Sequence, residues 1–425
     1  MTSNAHPSIE EFQAEARAFL DVNCQRREAS QARKWGEGSV KVALFEEKSA
    51  EAEIRDVETA KAFRQKMFDA GFGWITGPSE FGGRGLPNTY QRAYDEEASQ
   101  YSVPNMSIFG IGLGMVAPTF LAHGTEEAKQ KYLRPMWRGE IVGCQLFSEP
   151  GAGSDLASLQ TKAERDGDEW VITGQKVWTT GAHLSDVGEV ICRTDPNLPK
   201  HKGLTGFIVD MLAPGVEVRP LRQMTGGASF NEVFFNEVRV PDSYRLGDVN
   251  QGWTVALTTL MNERASIGGG GSGGRGSAMD VGFLSQMLRA MGLGESKVHR
   301  DELMKIFCDM EVARYSGMRA MAKIKAGQLP GPEMSTGKLA VATTMKNVSA
   351  WVSSVLGPRM TADSGEWGTY GWSDFVLGAP GMRIAGGSDE VMRNILGERV
   401  LGLPKDTGID SVTPFKDLKV GTQKA

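Results

Sequence analysis

The sequence predicts an α+β protein with an N-terminal α-helical domain over residues 1–141, a middle β-barrel or sandwich domain over 142–250, and a C-terminal four-helix-bundle domain over 251–425. Three observations predict it. Apolar residues recur at helical spacing up to about residue 140, the period becomes twofold from about 142, and helical spacing returns beyond Gly252. A chain of 425 residues is also longer than one ordinary core accommodates.

In the first region, Ser8 and Glu11 form a capping box ahead of Ile9, Phe12, Ala16, Phe19 and Leu20. Residues 27–53 are charged and weakly periodic, which predicts a surface excursion, and Val57 to Ala70 is helical again. Residues 71–87 are rich in Gly and Pro, predicting a surface loop or a cofactor edge. Two helical stretches follow over 88–103 and 105–122. Thr125 then caps a helix with Glu126 and Glu127 in its first turn, and Pro135 is expected to end it.

In the middle region, Asp166-Gly167 and Thr173-Gly174 stand between alternating runs, as hairpin turns do. Val187 to Arg193, Leu204 to Met211, Val216 to Arg219 and Asn231 to Val240 predict further strands, closed by Pro241. Beyond it, 253–267 is a helix and the glycine run 268–277 a flexible connector. No strand precedes that run and no Lys-Ser/Thr follows it, so its G-x-G-x-x-G spacing is not a nucleotide loop. Asp301 to Lys325 and Lys338 to Leu356 predict bundle helices with Met and aromatic stripes turned inward. Ser388 caps a last helix with Val391, Ile395 and Leu396 inward.

Composition excludes several classes. A net charge of −5 gives no attraction to nucleic acid or an anionic membrane. Cys24, Cys144, Cys192 and Cys308 are far apart and the histidines form no ligand cluster, so neither a disulfide framework nor a metal site is expected. The N-terminus carries no basic region followed by an apolar run, and no apolar stretch is long enough to span a bilayer, so a cytoplasmic protein is expected.

The most informative stretch is QLFSEPGAGSDLASLQTKAERDGDEWVITGQKVWTTG, 145–181. Small residues let backbone N–H groups approach a phosphate, and hydroxyls beside Trp178 offer polar and aromatic contacts to a flat ligand. It resembles the flavin segment of the acyl-CoA dehydrogenase family, T-E-P-G-A-G-S-D followed by G-x-K-x-W-I-T, with Ser148 in place of Thr. RVPDSYRLGDVNQGW and GGSDEVMRNILGERVLGLP extend the resemblance over roughly residues 8–406.

The resemblance implies FAD, an acyl-CoA substrate, α,β-dehydrogenation to the trans-2-enoyl-CoA, and electrons passed to an electron-transfer flavoprotein. It implies that Phe147 and Ser148 contact the isoalloxazine, that Gly153 and Ser154 lie at the pyrophosphate and CoA entrance, and that Trp178 and Thr180 flank the ring. Ser388 and Glu390 would meet the FAD from the last turn. The family's usual base is the Glu of a Y-E-G-T/S turn, where this chain has Ala385, Gly386, Gly387 and Ser388. A minority of members carry the base on the first helix of the C-terminal domain, before an Arg, and the matching pair is Glu263-Arg264. Glu263 is therefore the expected base, its pKa raised by burial, with Arg264, Gly386 and Gly387 at the substrate and the Gly386 N–H polarising the thioester.

The small residues at 385–387 imply room for a branched or bulky acyl group. The R-x-x-F-G motif is absent, and GPRMTADSG (357–365) replaces a Gly-Gly-x-Gly turn. A homodimer or homotetramer is the default, and a hetero-oligomer with a paralogue is the alternative. An oxidase, desulfinase or flavin monooxygenase of the same fold, or a non-catalytic subunit, are the competing functions.

Overall fold

A computed structural model describes residues 6–27, 34–38, 40–44, 48–269, 279–325, 331–405 and 411–418, excepting the side chains of 264–269 and 324–325. The chain begins with α1 (Ile9–Asn23), whose capping box forms as the sequence specifies. It is followed by the short strand β1 (Gln25–Arg26), α2 (Ala50–Asp69), α3 (Asn88–Ala98), β2 (Tyr101–Ser102), α4 (Ala117–His123) and α5 (Glu126–Arg138).

Helix α2 begins earlier than apolar spacing indicates, because Ser49 caps it through the Ala52 N–H and its buried residues start only at Ala60. Residues 71–87 are not a surface loop. Phe72, Trp74, Ile75, Phe81 and Leu86 are buried, and Trp74 stacks on Trp137 with ring centres 4.6 Å apart. A carbonyl of this stretch is met by a buried cation, since Arg64 donates to the carbonyl of Gly73 and also to that of Trp137 on α5.

Two further expectations shift. The stretch 105–122 is broken into a 3-10 turn, a π-turn (Gly112–Val116) and α4. Helix α5 passes through Pro135 and ends at Gly139, which adopts φ +82° and returns its N–H to Met136 and Pro135. Pro135 lies in the last turn, where it forfeits one ladder bond without preventing the helix.

The middle region contributes β3 (Gly143–Leu146), β4 (Lys162–Asp166), β5 (Glu169–Thr180), β6 (Val187–Arg193), β7 (Leu204–Asp210), β8 (Val216–Leu221), β9 (Phe230–Pro241) and β10 (Arg245–Leu246). These form one sheet in the order β10-β7-β6-β4-β5-β9-β8, with β3 parallel to β6. Asp166-Gly167 makes the expected hairpin. Thr173-Gly174 does not turn: it lies inside β5 at a register shift against β9, where a Cβ on Gly174 would meet Thr161 Oγ1 at 2.5 Å.

Helices α6 (Gly252–Gly269), α7 (Val281–Ala290), α8 (Lys297–Lys325), α9 (Ser335–Leu356), α10 (Ser373–Gly378) and α11 (Asp389–Arg399) complete the chain. A core of Phe283, Leu284, Leu303, Ile306, Val348, Val352 and Trp372 joins α7 to α10. The stripe of α8 is inward only in its first half. Phe307, Val312, Tyr315, Met318 and Met321 are exposed, contrary to the reading of that stripe as core. On α11, Met392 is the buried apolar residue, whereas Val391, Ile395 and Leu396 are half-buried. The glycine connector falls at 268–277, of which 270–277 lie outside the described residues.

Candidate active site

The 145–181 stretch is shaped by a buried ion pair. Strand β3 delivers Phe147 and Ser148 into a tight turn closed by a Glu149–Ala152 bridge. Lys176 on β5, fully buried, reaches Glu149 Oε1 at 2.9 Å and the Phe147 carbonyl at 3.0 Å. The Glu149 carboxylate also accepts from the N–H groups of Gln160 and Thr161, at 2.7 and 2.8 Å. Burial opposes its ionisation, but Lys176 and these N–H groups outweigh burial and hold its pKa below the usual carboxylate range. The Val177 N–H donates to the Ser148 carbonyl at 2.8 Å, which sets Phe147 and Ser148 beside the end of β5.

At that end a bulge lies between Lys176 and Thr179 in the pairing with β9, and Trp178 adopts φ +62°. The residue is 62% exposed, an unusual state for so large an apolar side chain. Thr180 is exposed, and Thr179 is buried with an Oγ1 that has no hydrogen-bond partner among the described residues. Gly153 and Ser154 are exposed, and among the described residues nothing lies within 4 Å of where a Gly153 Cβ would be. An open glycine backbone, an exposed hydroxyl and a presented indole fit a flavin with its pyrophosphate.

Sequence reasoning passed over the residues that anchor this turn. Asp155 holds Lys200 at 2.9 Å, and the buried Arg193 donates to the carbonyls of Ala157, Leu159 and Lys200 beneath the ring of Phe415. Lys176 was visible as the Lys of G-x-K, but only its burial reveals its task.

The second group lies around α11. Gly386 and Gly387 take φ +67° and +89°, so two consecutive residues occupy the region that side chains resist. Ser388 caps α11 through the Val391 N–H, and Glu390 is exposed. Asp389, buried, is held by Arg383 at 2.7 Å and lies 3.7 Å from the buried Lys338 of α9. The third group is Glu263, half-buried on α6. The Arg264 side chain lies outside the described residues. The structure thus ties Phe147 and Ser148 to Lys176 and Val177, next to Trp178 in the chain, and sets Ser388 with Gly386 and Gly387 along one turn. Helices α6 and α11 both pack on α9.

Family models match three stretches of the chain: "Acyl-CoA dehydrogenase, N-terminal domain" matches residues 41–140, the middle domain 144–238 and the C-terminal domain 250–401. The chain belongs to the acyl-CoA dehydrogenase family. Acyl-CoA dehydrogenase IpdE1 of Mycobacterium tuberculosis is 35% identical over 94% of this chain and 98% of that protein. Acyl-CoA dehydrogenase FadE34 of the same organism is 39% identical over 76% of this chain, but the match spans only 44% of its length. Among solved structures, the Tcur3481-Tcur3483 steroid ACAD superposes with a TM-score of 0.70 at 28% identity, covering 96% of this chain and 100% of that one. The protein is accordingly an FAD-dependent acyl-CoA dehydrogenase, an oxidoreductase of lipid catabolism. Among the described residues, no helix is long and apolar enough to cross a membrane.

Proposed function

We propose that this acyl-CoA dehydrogenase takes the α proton of its thioester with Glu263, not with a group at position 386. The observation that carries the proposal is the turn at 385–388: Gly386 offers no side chain, and its φ of +67° belongs to a turn built for glycine. Glu263 supplies the carboxylate from α6 instead, and the Gly386 N–H remains available to polarise the thioester carbonyl and acidify the α carbon.

FAD, when bound, supplies the acceptor for the hydride that leaves the β carbon. Phe147, Ser148, Trp178 and Thr180 hold its ring, Gly153 and Ser154 take the pyrophosphate and the CoA entrance, and Ser388 and Glu390 approach from α11. Arg264 and Gly387 contact the substrate. The domain bounds that go with this reading are 1–141 for the N-terminal α-helical domain, 142–250 for the middle β domain and 251–425 for the C-terminal α-helical bundle domain. Electrons pass to an electron-transfer flavoprotein, and the four cysteines suit a reduced cytoplasm.

The absence of side chains at 386 and 387 supports a branched or bulky acyl group, and so does the likeness to a steroid ACAD. The paired designation of that relative supports a hetero-oligomer with a paralogue over a homo-oligomer. Anaerobic flavin bleaching against a panel of acyl-CoAs tests the chemistry. Glu263→Gln is expected to slow bleaching by about 10²-fold or more. Bleaching that survives the substitution removes Glu263 as the base, and a strong preference for straight chains removes the bulky-substrate reading.

A further inference from the structure

Glu189 stands in the middle of β6, wholly removed from solvent. Its Oε1 lies 2.6 Å from the Thr259 hydroxyl of α6, while Oε2 has no hydrogen-bond partner among the described residues. Thr259 Oγ1 in turn lies 2.8 Å from Thr119 Oγ1 of α4, and Thr119 reaches the Met115 carbonyl in the π-turn at 2.9 Å. Groups from β6, α6 and α4 therefore form one line of three short contacts.

Proton counting gives the line a direction. The two threonine hydroxyls bring two protons to three contacts. With Glu189 ionised, one contact has no proton and a bare carboxylate oxygen is buried. With Glu189 protonated, the acid donates to Thr259, Thr259 to Thr119, and Thr119 to Met115, so every contact is filled and no charge is buried. The Val255 carbonyl, 3.3 Å from Thr259 Oγ1, is the weaker alternative acceptor.

The surroundings agree. Burial, only partly opposed by Thr259, raises the Glu189 carboxyl to about 8. Its register neighbours, Gln145 on β3 and Ile208 on β7, are uncharged. On α4, His123 pairs with Thr258 of α6 and burial lowers its affinity for protons. Glu263 lies one helical turn beyond Thr259 on α6. Arg193, further along β6, is engaged by backbone carbonyls.

We propose that Glu189 is a positioning residue that acts as the hydrogen-bond donor at the head of this line, tying α6 to the sheet and to α4 and fixing the turn that carries Glu263. The consequence for turnover rests on Glu263 as the base; the tie itself does not.

Glu189→Gln keeps a donor that cannot titrate, and Thr259→Val cuts the line. Below the ordinary carboxylate range wild type and Glu189→Gln titrate alike, because folded and unfolded Glu189 are both protonated. As pH rises from there through about 8 the unfolded state releases the proton first, so wild-type stability falls relative to the variant and then levels off. The FAD-loaded wild type is also expected to show an infrared band of a buried protonated carboxyl at neutral pH that Glu189→Gln removes.

Thr259→Val is expected to lower kcat on the order of tenfold to a hundredfold with KM little changed. Parallel stability profiles for wild type and Glu189→Gln, or an unchanged infrared band, would overturn the proposal. An unaltered kcat in Thr259→Val would overturn the positioning role. Glu263→Gln separates the two ideas: it is expected to slow turnover by about 10²-fold or more while retaining the fall in stability with rising pH that Glu189→Gln lacks, and if turnover survives there, the base reading fails while the tie stands.

Discussion

Two buried lysine–carboxylate pairs flank the proposed active site, and they are built differently. In Glu149–Lys176 the ammonium is 2.9 Å from the carboxylate and also serves the Phe147 carbonyl, while two backbone N–H groups fill the remaining carboxylate positions. In Lys338–Asp389 the charges are 3.7 Å apart, and neither Lys338 Nζ nor Asp389 Oδ1 has a hydrogen bond among the described residues. Desolvation costs both pairs, but only the first recovers it through complete hydrogen bonding. The Phe147–Ala152 turn, proposed to face the flavin, is thus fixed by its own polar network, whereas the Gly386–Ser388 turn is tied mainly through Arg383 to Asp389.

The largest expected effect comes from breaking the satisfied pair. Lys176→Met leaves Glu149 buried without its counter-ion and should cost about 3–5 kcal/mol in urea unfolding, with FAD lost on purification. A loss well below that would mean the turn is held by its glycines and not by the pair. Lys338→Met should cost only about 1 kcal/mol, because Arg383 still neutralises Asp389. Burial lowers the Lys338 pKa despite Asp389, so the folded state gives up this proton before the unfolded chain does. Wild type should therefore gain stability relative to Lys338→Met as pH rises from that lowered pKa toward the ordinary lysine range. If the two lysine variants proved equally destabilised, the contrast between the pairs would collapse.

The smallest effect on stability is expected at the bulge. Trp178→Gly relieves a φ of +62° and should raise stability by up to about 1 kcal/mol, while weakening FAD retention in ultrafiltration. Retention equal to wild type would remove Trp178 from the flavin contacts.

Much of the architecture could be read from residue spacing because periodicity reports which face is buried. The change from helical to twofold period near residue 142 marks the start of the sheet, and the caps at Ser8, Thr125 and Ser388 form as read. Misreadings cluster where tertiary contacts replace local signals. Residues 71–87 carry turn residues yet form core through Trp74 on Trp137, Thr173-Gly174 resembles a turn yet lies within a strand against Thr161, and the apolar stripe of α8 leaves the core halfway along.

By itself the sequence determined the family, the cofactor and the residues from which the flavin contacts are proposed, because a turn that admits a phosphate requires small residues in a fixed order. The missing carboxylate at position 386 was equally plain from the sequence. Only the tertiary structure decided which charges are buried. Lys176 and Glu149, distant in sequence, become partners once β5 folds against the β3 turn. Glu189 acquires its line of hydroxyls only when α6 and α4 meet over β6. Burial and pairing depend on elements remote along the chain, and no local pattern of residues encodes them.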